Sequence, residues 1–384
     1  MPGSSRFRAE YEERKAGGGG CRDCLLGTIR CFNTAPIDGR GSLVVRGDWA
    51  PDFVLPRQDG TPIRFYGWAG GRATVLFFFG ANDSDETWET LVWFSTALSK
   101  QKLSLFALNH CAPATNQGHA SHFGISFPIL SDAEGLVASS YGADPSKSMV
   151  LVVLGPNLRV LDVHPFLSRE SSLQKILGAV KGIARPEPAE ITMQAPVLLV
   201  PEVLEREFCR HLIEVWRTQG NMETGVESSS EGRRGDAVIP GTKHRRDHEV
   251  TNGSLLRQLT WRVGRRVMPD IHKAFSFQAT RFEGFKIGCY DALTRGFFSA
   301  HRDNLSSRTA HRRFALSLNL NDGYEGGHLR FPEYGPYLYR PEAGGAIIFS
   351  ASLLHEVLEV TKGRRFVLLS FLYGEEQARA PTER

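Results

Sequence analysis

No apolar run in this 384-residue chain approaches the ~18 residues that a membrane-spanning helix needs. The N-terminal stretch also lacks the apolar core of a secretory signal. The expectation is a cytoplasmic protein with no membrane partner. Cysteine is scarce, and six residues in so long a chain do not make a disulfide framework. Cys21, Cys24 and Cys31 form a Cys-x-x-Cys plus one, but no fourth thiolate or histidine lies nearby to close a zinc site. Beside Ala16-Gly17-Gly18-Gly19-Gly20 they read as part of a flexible tail over 1–44. Charge of one sign is nearly absent as a net quantity, at +4. The basic residues that do cluster, Arg233, Arg234, Lys243, Arg245 and Arg246, lack the interleaved aromatics of a nucleic-acid surface. Their stretch, Asn221 to Val250, has no periodicity and reads as a solvated loop or a flap. There is no His-Glu-x-x-His pair to suggest a zinc hydrolase.

What is present divides in two, as the length prior suggests. Residues 45–183 alternate buried strands with helices, an α/β layer pattern. Thr74 to Phe79, Ser104 to Leu108 and Met149 to Leu154 are apolar strands. A helix starts near Asp83 with Glu86 as a capping signal and buries Thr87, Leu91, Phe94 and Leu98. The Pro- and Glu-rich run within 184–195 reads as a linker, leaving 196–376 as a second domain. A helix over Glu202 to Arg217 carries the stripe Leu204, Phe208, Leu212 and Trp216, with Cys209 beside it in the core.

In the second domain, His301 and Asp303 are separated only by Arg302 in a strand-like segment, so their side chains share a face. His355 lies in a second strand-like run, Leu353 to Val360. Two imidazoles and one carboxylate suit one face of a ferrous ion, with positions left open. Beyond the turn Thr361-Lys362-Gly363 runs the strand Arg364 to Tyr373. If a three-residue hairpin loop joins the two runs, Arg365 falls on the face of His355; if a two-residue loop does, Arg364 takes that face. The three-residue loop suits Gly363, and a cation on an apolar strand needs an anion. His328, between apolar neighbours, reads as structural.

These pieces carry a resemblance. Gly288-Cys289-Tyr290, His301-Arg302-Asp303, Leu318-Asn319-Leu320-Asn321-Asp322, Gly326-Gly327-His328-Leu329-Arg330-Phe331, Leu354-His355-Glu356-Val357 and Gly363-Arg364-Arg365-Phe366 occur in the order seen in the prolyl-4-hydroxylase-like branch of the Fe(II)/2-oxoglutarate oxygenases. The resemblance implies a double-stranded β-helix (jelly-roll) fold, with His301, Asp303 and His355 as metal ligands. It also implies that Arg365 holds the distal carboxylate of 2-oxoglutarate, with Tyr290 near the cosubstrate. Asn319 stands where many relatives have a tyrosine. The implied cofactors are Fe(II), 2-oxoglutarate and O2, with L-ascorbate assisting in many members. The implied activity is hydroxylation of a peptide, protein or small-molecule substrate with release of succinate and CO2.

The first half resembles a peroxiredoxin of the thioredoxin-like fold, through Gly47-Asp48-Trp49-Ala50-Pro51-Asp52-Phe53-Val54-Leu55 and the strand-to-helix passage after Phe79. The family's Pro-x-x-x-Thr-x-x-Cys positions fall on Gly80, Ser84 and Thr87, so the reactive cysteine is missing. Threonine has no comparable acidity and cannot form a sulfenic acid. Cys111 lies away from that position and reads as structural. Two other readings are a thiol peroxidase using the first half and a scaffold in which that half recruits a partner. Nothing in the sequence sets the oligomeric state.

Overall fold

Continuous apolar runs, rather than alternating ones, build the first sheet, because it is buried on both faces. The structure is a computed structural model that describes residues 44–80, 84–183, 190–228, 235–237 and 241–378. Cys21, Cys24, Cys31, most of the expected 1–44 tail, much of the expected linker, and Arg233 and Arg234 lie outside these residues.

The first half runs β1 (Val54–Pro56), β2 (Pro62–Arg64), α1 (Phe65–Ala69), β3 (Thr74–Phe78), α2 (Asp85–Lys100), β4 (Ser104–Asn109), α3 (Pro113–Phe123), β5 (Ile129–Ser131), α4 (Leu136–Ser140), β6 (Val150–Leu154), β7 (Val160–Pro165) and α5 (Arg169–Val180). The five-stranded sheet has the order β5-β4-β3-β6-β7. Strands β3, β4 and β5 are parallel, while β6 and β7 pair antiparallel. Alternate residues feed two cores. Val75, Phe77 and Phe79 pack with Leu91, Phe94 and Leu98 of α2, while Leu76 and Phe78 pack with Phe65, Val137 and Tyr141 on the other face. This is a thioredoxin-like α/β domain. Helix α2 begins at Asp85, close to the start expected near Asp83, and Ser84 occupies its N-cap without a side-chain capping bond; Asp83, on which the expected capping signal rests, lies outside the described residues.

The second half continues with β8 (Leu198–Val200), α6 (Arg206–Thr218), β9 (Met222–Glu223), β10 (Val226–Ser228), β11 (Gly235–Ala237), β12 (Arg246–Glu249), α7 (Gly253–Phe275), β13 (Arg281–Phe282) and β14 (Lys286–Asp291). Then come β15 (Phe298–His301), β16 (Phe314–Asn319), β17 (Glu325–Gly326), β18 (Leu329–Arg330), β19 (Leu338–Tyr339), β20 (Ala346–Ser350), β21 (His355–Val357), β22 (Val360–Lys362), β23 (Arg364–Tyr373) and α8 (Glu375–Ala378). The larger sheet has the order β8-β20-β16-β23-β14-β12-β9, and the smaller β15-β21-β18-β19.

Strand periodicity again separates two cores. Leu316, Leu318, Ala346, Ile348, Phe366 and Leu368 of the larger sheet face α6 and α7. Their neighbours Ala315, Ile347, Phe349 and Val367 join Leu329 and Val357 of the smaller sheet in a second cluster. Two sheets therefore face each other in a double-stranded β-helix, and one face of each is turned to the space between them.

Three expectations are corrected. Helix α6 starts at Arg206 rather than Glu202, because Glu202 is in the left-handed region at φ 51°. Arg266 donates to the Glu202 and Val203 carbonyls there, at 3.0 and 2.8 Å. The Asn221 to Val250 stretch is not a plain loop, since it contributes β9, β10, β11 and β12. The hairpin expected around Thr361-Lys362-Gly363 is absent, because β22 pairs with β17 while β23 lies between β14 and β16.

Candidate metal centre

Strands β15 and β21 are antiparallel neighbours with His301 opposite His355. Their rings lie 4.3 Å apart between centroids. Asp303 falls just past the end of β15 rather than on it; its backbone N–H donates to the Ala351 carbonyl at 2.9 Å, which returns the carboxylate to the two imidazoles. His301 Nε2 is 3.5 Å from Asp303 Oδ1, and His355 Nε2 is 3.3 Å from Oδ2. One ligand atom from each residue lies within 4.8 Å of the other two. Arg302 turns outward to Glu333 at 2.7 Å.

Each histidine is held in the same way. Nδ1 of His301 meets the Ser299 carbonyl at 2.7 Å and Nδ1 of His355 the Leu353 carbonyl at 2.9 Å. A carbonyl can only accept, so both Nδ1 atoms carry the proton and both Nε2 lone pairs face the carboxylate. Two lone pairs and a carboxylate converging on one another are a donor set that suits a divalent transition metal, and such tautomer control is what ligating histidines require. Burial holds the His355 imidazole below its ordinary pKa. Burial alone would raise the Asp303 carboxyl, but the two imidazoles beside it and the charge of Arg312 outweigh it and leave it lowered. Both directions keep the ligand atoms deprotonated near neutrality.

The opposite wall comes from the larger sheet. Tyr290 and Arg365 are cross-strand partners on β14 and β23, and both side chains face the inter-sheet space, on the parity of Val367. Arg365 is 2% exposed. Its Nε and Nη2 reach Asn319 Oδ1 and Ser317 Oγ only at 3.4 Å each. Its Nη1 is buried with no partner among the described residues. A buried guanidinium with an unused donor fits an anionic ligand. Arg364, by contrast, points out and pairs with Asp291 at 2.6 Å. Asn319 is buried and also accepts from Tyr324 Oη at 3.0 Å. His328 is partly exposed, and burial with the charges of Arg340 and Arg365 holds its pKa down.

Sequence reasoning missed one group. Of three residues taken for part of a solvated loop, Lys243 and Asp247 are buried and Arg245 is partly buried beside the site. Arg245 holds Asp247 at 2.6 and 2.8 Å and donates to Tyr290 Oη at 3.1 Å. The one available signal was spacing, since the alternate positions 243, 245 and 247 carry opposite charges, although only Asp247 lies on β12.

The sulfur atoms fall elsewhere. Thr87 is buried in the first turn of α2, and Cys111 follows β4. Burial pushes the Cys209 and Cys289 thiols up to about 12, so neither is a ready thiolate.

An inter-sheet His/Asp/His cluster opposite a buried arginine defines a class. The profile of the 2OG-Fe(II) oxygenase superfamily matches residues 285–373, and that of the AhpC/TSA family matches residues 46–161. The chain thus joins a 2OG-Fe(II) oxygenase domain to an AhpC/TSA-type domain. Among individual relatives, a PKHD-type hydroxylase of Prochlorococcus marinus is 36% identical over 78 residues, 20% of this chain and 35% of that protein. The chain therefore spans about a third of that relative's length. A Pseudomonas putida prolyl-4-hydroxylase structure aligns with TM-score 0.36 and 17% identity over 47% of this chain and 94% of that one. Peroxidoxin BcpB of Mycobacterium tuberculosis aligns with TM-score 0.33 and 25% identity over 37% of this chain and 99% of that one. Among the described residues no helix is long and apolar enough to cross a membrane.

Proposed function

We propose that this chain is an Fe(II)- and 2-oxoglutarate-dependent hydroxylase that acts on a residue of a peptide or protein, with its chemistry in a domain over 196–376. The domain over 45–183 is non-catalytic. The observation that carries the reading is Arg365, a buried guanidinium with a free donor, facing the same inter-sheet space as the His301, Asp303 and His355 cluster.

His301, Asp303 and His355 would hold Fe(II), which with bound 2-oxoglutarate and O2 supplies the oxidation that converts a substrate C–H to C–OH with release of succinate and CO2. The chain's own residues set the geometry. Backbone carbonyls of Ser299 and Leu353 fix the ligand tautomers, Arg365 takes the distal carboxylate as a charge-assisted pair, and Tyr290 donates to the cosubstrate from the neighbouring strand. Phe298, stacked on His301 at 3.6 Å between centroids, shields that ligand from water. L-Ascorbate would serve as the reductant that restores Fe(II). The PKHD-type relatives favour a hydroxylated product, and the peptide or protein substrate is our extension from the prolyl-hydroxylase-like motifs.

The test is succinate formation by the full chain with Fe(II), 2-oxoglutarate and candidate peptides, alongside metal binding by calorimetry. Asp303→Ala should lose succinate formation and at least ~10-fold in metal affinity. Full turnover in that variant would defeat the assignment.

A further inference from the structure

We infer that Arg245 is a positioning residue that makes Tyr290 a hydrogen-bond donor to the cosubstrate. This rests on the proposed 2-oxoglutarate site. Arginine has five N–H donors and no acceptor. In the contact between Arg245 Nη1 and Tyr290 Oη, at 3.1 Å, the phenol oxygen must therefore accept. The phenol's own proton is left for another acceptor, and among the described residues Tyr290 makes no second side-chain hydrogen bond. Its cross-strand partner Arg365 has the matching surplus, a buried Nη1 with no acceptor. Two neighbouring donors on one sheet face, both lacking an acceptor, select an anionic ligand with more than one acceptor group.

Arg245 cannot rotate away to release Tyr290. Asp247, itself buried, grips it through two parallel bonds at 2.6 and 2.8 Å, a fork-to-fork pair that sets both direction and plane. Burial alone would lower the Arg245 pKa, but Asp247 and the Tyr290 oxygen raise it, so the guanidinium stays charged. Asp247 sits on β12 beside β14, in register opposite Gly288, two residues from Tyr290. A Cβ on Gly288 would come within 2.9 Å of Asp247 Oδ1, so glycine there gives the carboxylate its room. The Arg245 guanidinium also lies 5.9 Å from the Phe298 ring, which stacks on His301. The same side chain thus lies between the Tyr290 and Phe298 rings without touching His301, Asp303 or His355.

The experiment is direct binding of 2-oxoglutarate to the full chain loaded with redox-inert Mn(II), by calorimetry, for wild type, Arg245→Gln, Arg245→Lys, Tyr290→Phe and Arg245→Gln/Tyr290→Phe. Tyr290→Phe should weaken 2-oxoglutarate about 10-fold or more, the scale of one bond to a charged group. Arg245→Gln should weaken it comparably while leaving Mn(II) affinity within about 3-fold, since no metal ligand is touched. The double variant should be no weaker than the worse single one, because both changes remove the same donated proton. Arg245→Lys, which keeps a cation on Asp247, should recover part of the loss. Additive losses, or unchanged 2-oxoglutarate affinity in Arg245→Gln, would overturn the inference. If Arg245→Gln does not fold, Tyr290→Phe, which keeps the ring, decides alone: wild-type affinity there would end it. A wild-type protein that binds Mn(II) but never 2-oxoglutarate would instead remove the cosubstrate reading, and this inference with it.

Discussion

Two adjacent arginines show how much one position along a strand changes. Arg365 is buried with a free donor, whereas Arg364 pairs with Asp291 at the surface with half its side chain exposed. Removing Arg365 as Arg365→Met should raise the Kd for 2-oxoglutarate about 30-fold or more, corresponding to roughly 2 kcal/mol or more for a desolvated charge pair. Arg364→Met should leave it within about 3-fold, since an exposed pair contributes little. Calorimetry on both variants checks the contrast, and equal losses would contradict it. Lys243 gives a pH test. Burial first, then the charge of Arg245, pushes its amine down to about 7 from an ordinary 10.5. Between those values the unfolded chain binds the proton and the folded chain does not, so stability gained from this group rises with pH. Below pH ~7 both states are charged and the burial cost is fully present. Lys243→Met should therefore be more stable than wild type near pH 7, with the gap closing toward pH 10 in urea unfolding. A gap that widened with pH would contradict the assignment.

The elements differ in how legible they were, and the reason is the range of the interaction that defines each. The run Thr74 to Phe79 and the Phe366 to Leu368 part of the last strand announce themselves because burial on both faces requires unbroken apolar sequence. The grouping of His301 with Asp303 was legible because two-residue spacing is a local property of extended chain, although Asp303 lies just past the end of β15. Strand pairing is not local. The inward direction of Arg365 was argued from a hairpin with Val360, yet β23 takes its register from β14, with Tyr290 opposite Arg365. Nor was the Arg245 and Asp247 pair legible, since a buried ion pair and a solvated one have the same letters. The β17 to β22 pairing depends on a glycine at one point. Gly326 has φ +75°, and a Cβ there would stand 2.2 Å from the Glu359 carbonyl oxygen. Its neighbour Gly327 packs near the Arg365 side chain. Gly326→Ala should cost about 1–3 kcal/mol from the backbone conformation alone, lower the melting temperature and weaken 2-oxoglutarate binding. An unchanged melting curve would mean that the pairing is dispensable.

At the scale of the molecule, helix α7 is shared. One face, with Leu259, Val263, Val267 and Ile271, belongs to the oxygenase core. Another side carries Arg265, Arg266 and Asp270 into the first half. Arg159 meets Asp270 at 2.6 Å with both side chains largely buried. Arg266 donates to the Arg46 carbonyl at 2.8 Å, Trp49 bonds Asp270, and Arg265 bonds Asp48. Lys273 lies 3.8 Å over the Trp49 ring. A domain kept only to recruit substrate on a loose tether would not bury these charges, so deleting everything before Ala195 does more than remove a recruitment surface. It leaves Asp270 without its partners and uncovers one side of α7. Asp270→Ala in the full chain isolates that effect, because it strands the Arg159 guanidinium in a buried site. The expected cost is about 3–5 kcal/mol, the usual consequence of breaking one side of a buried pair. The paired change Arg159→Met/Asp270→Leu removes both charges and should recover most of that loss. Urea unfolding followed by tryptophan fluorescence, with Trp49 at the junction, reads both variants. If Asp270→Ala unfolds like wild type, the junction is not a stabilising contact and the two halves can be treated as independent; if the double variant is restored while Asp270→Ala is not, the first half is part of the scaffold on which the His301, Asp303 and His355 cluster is built.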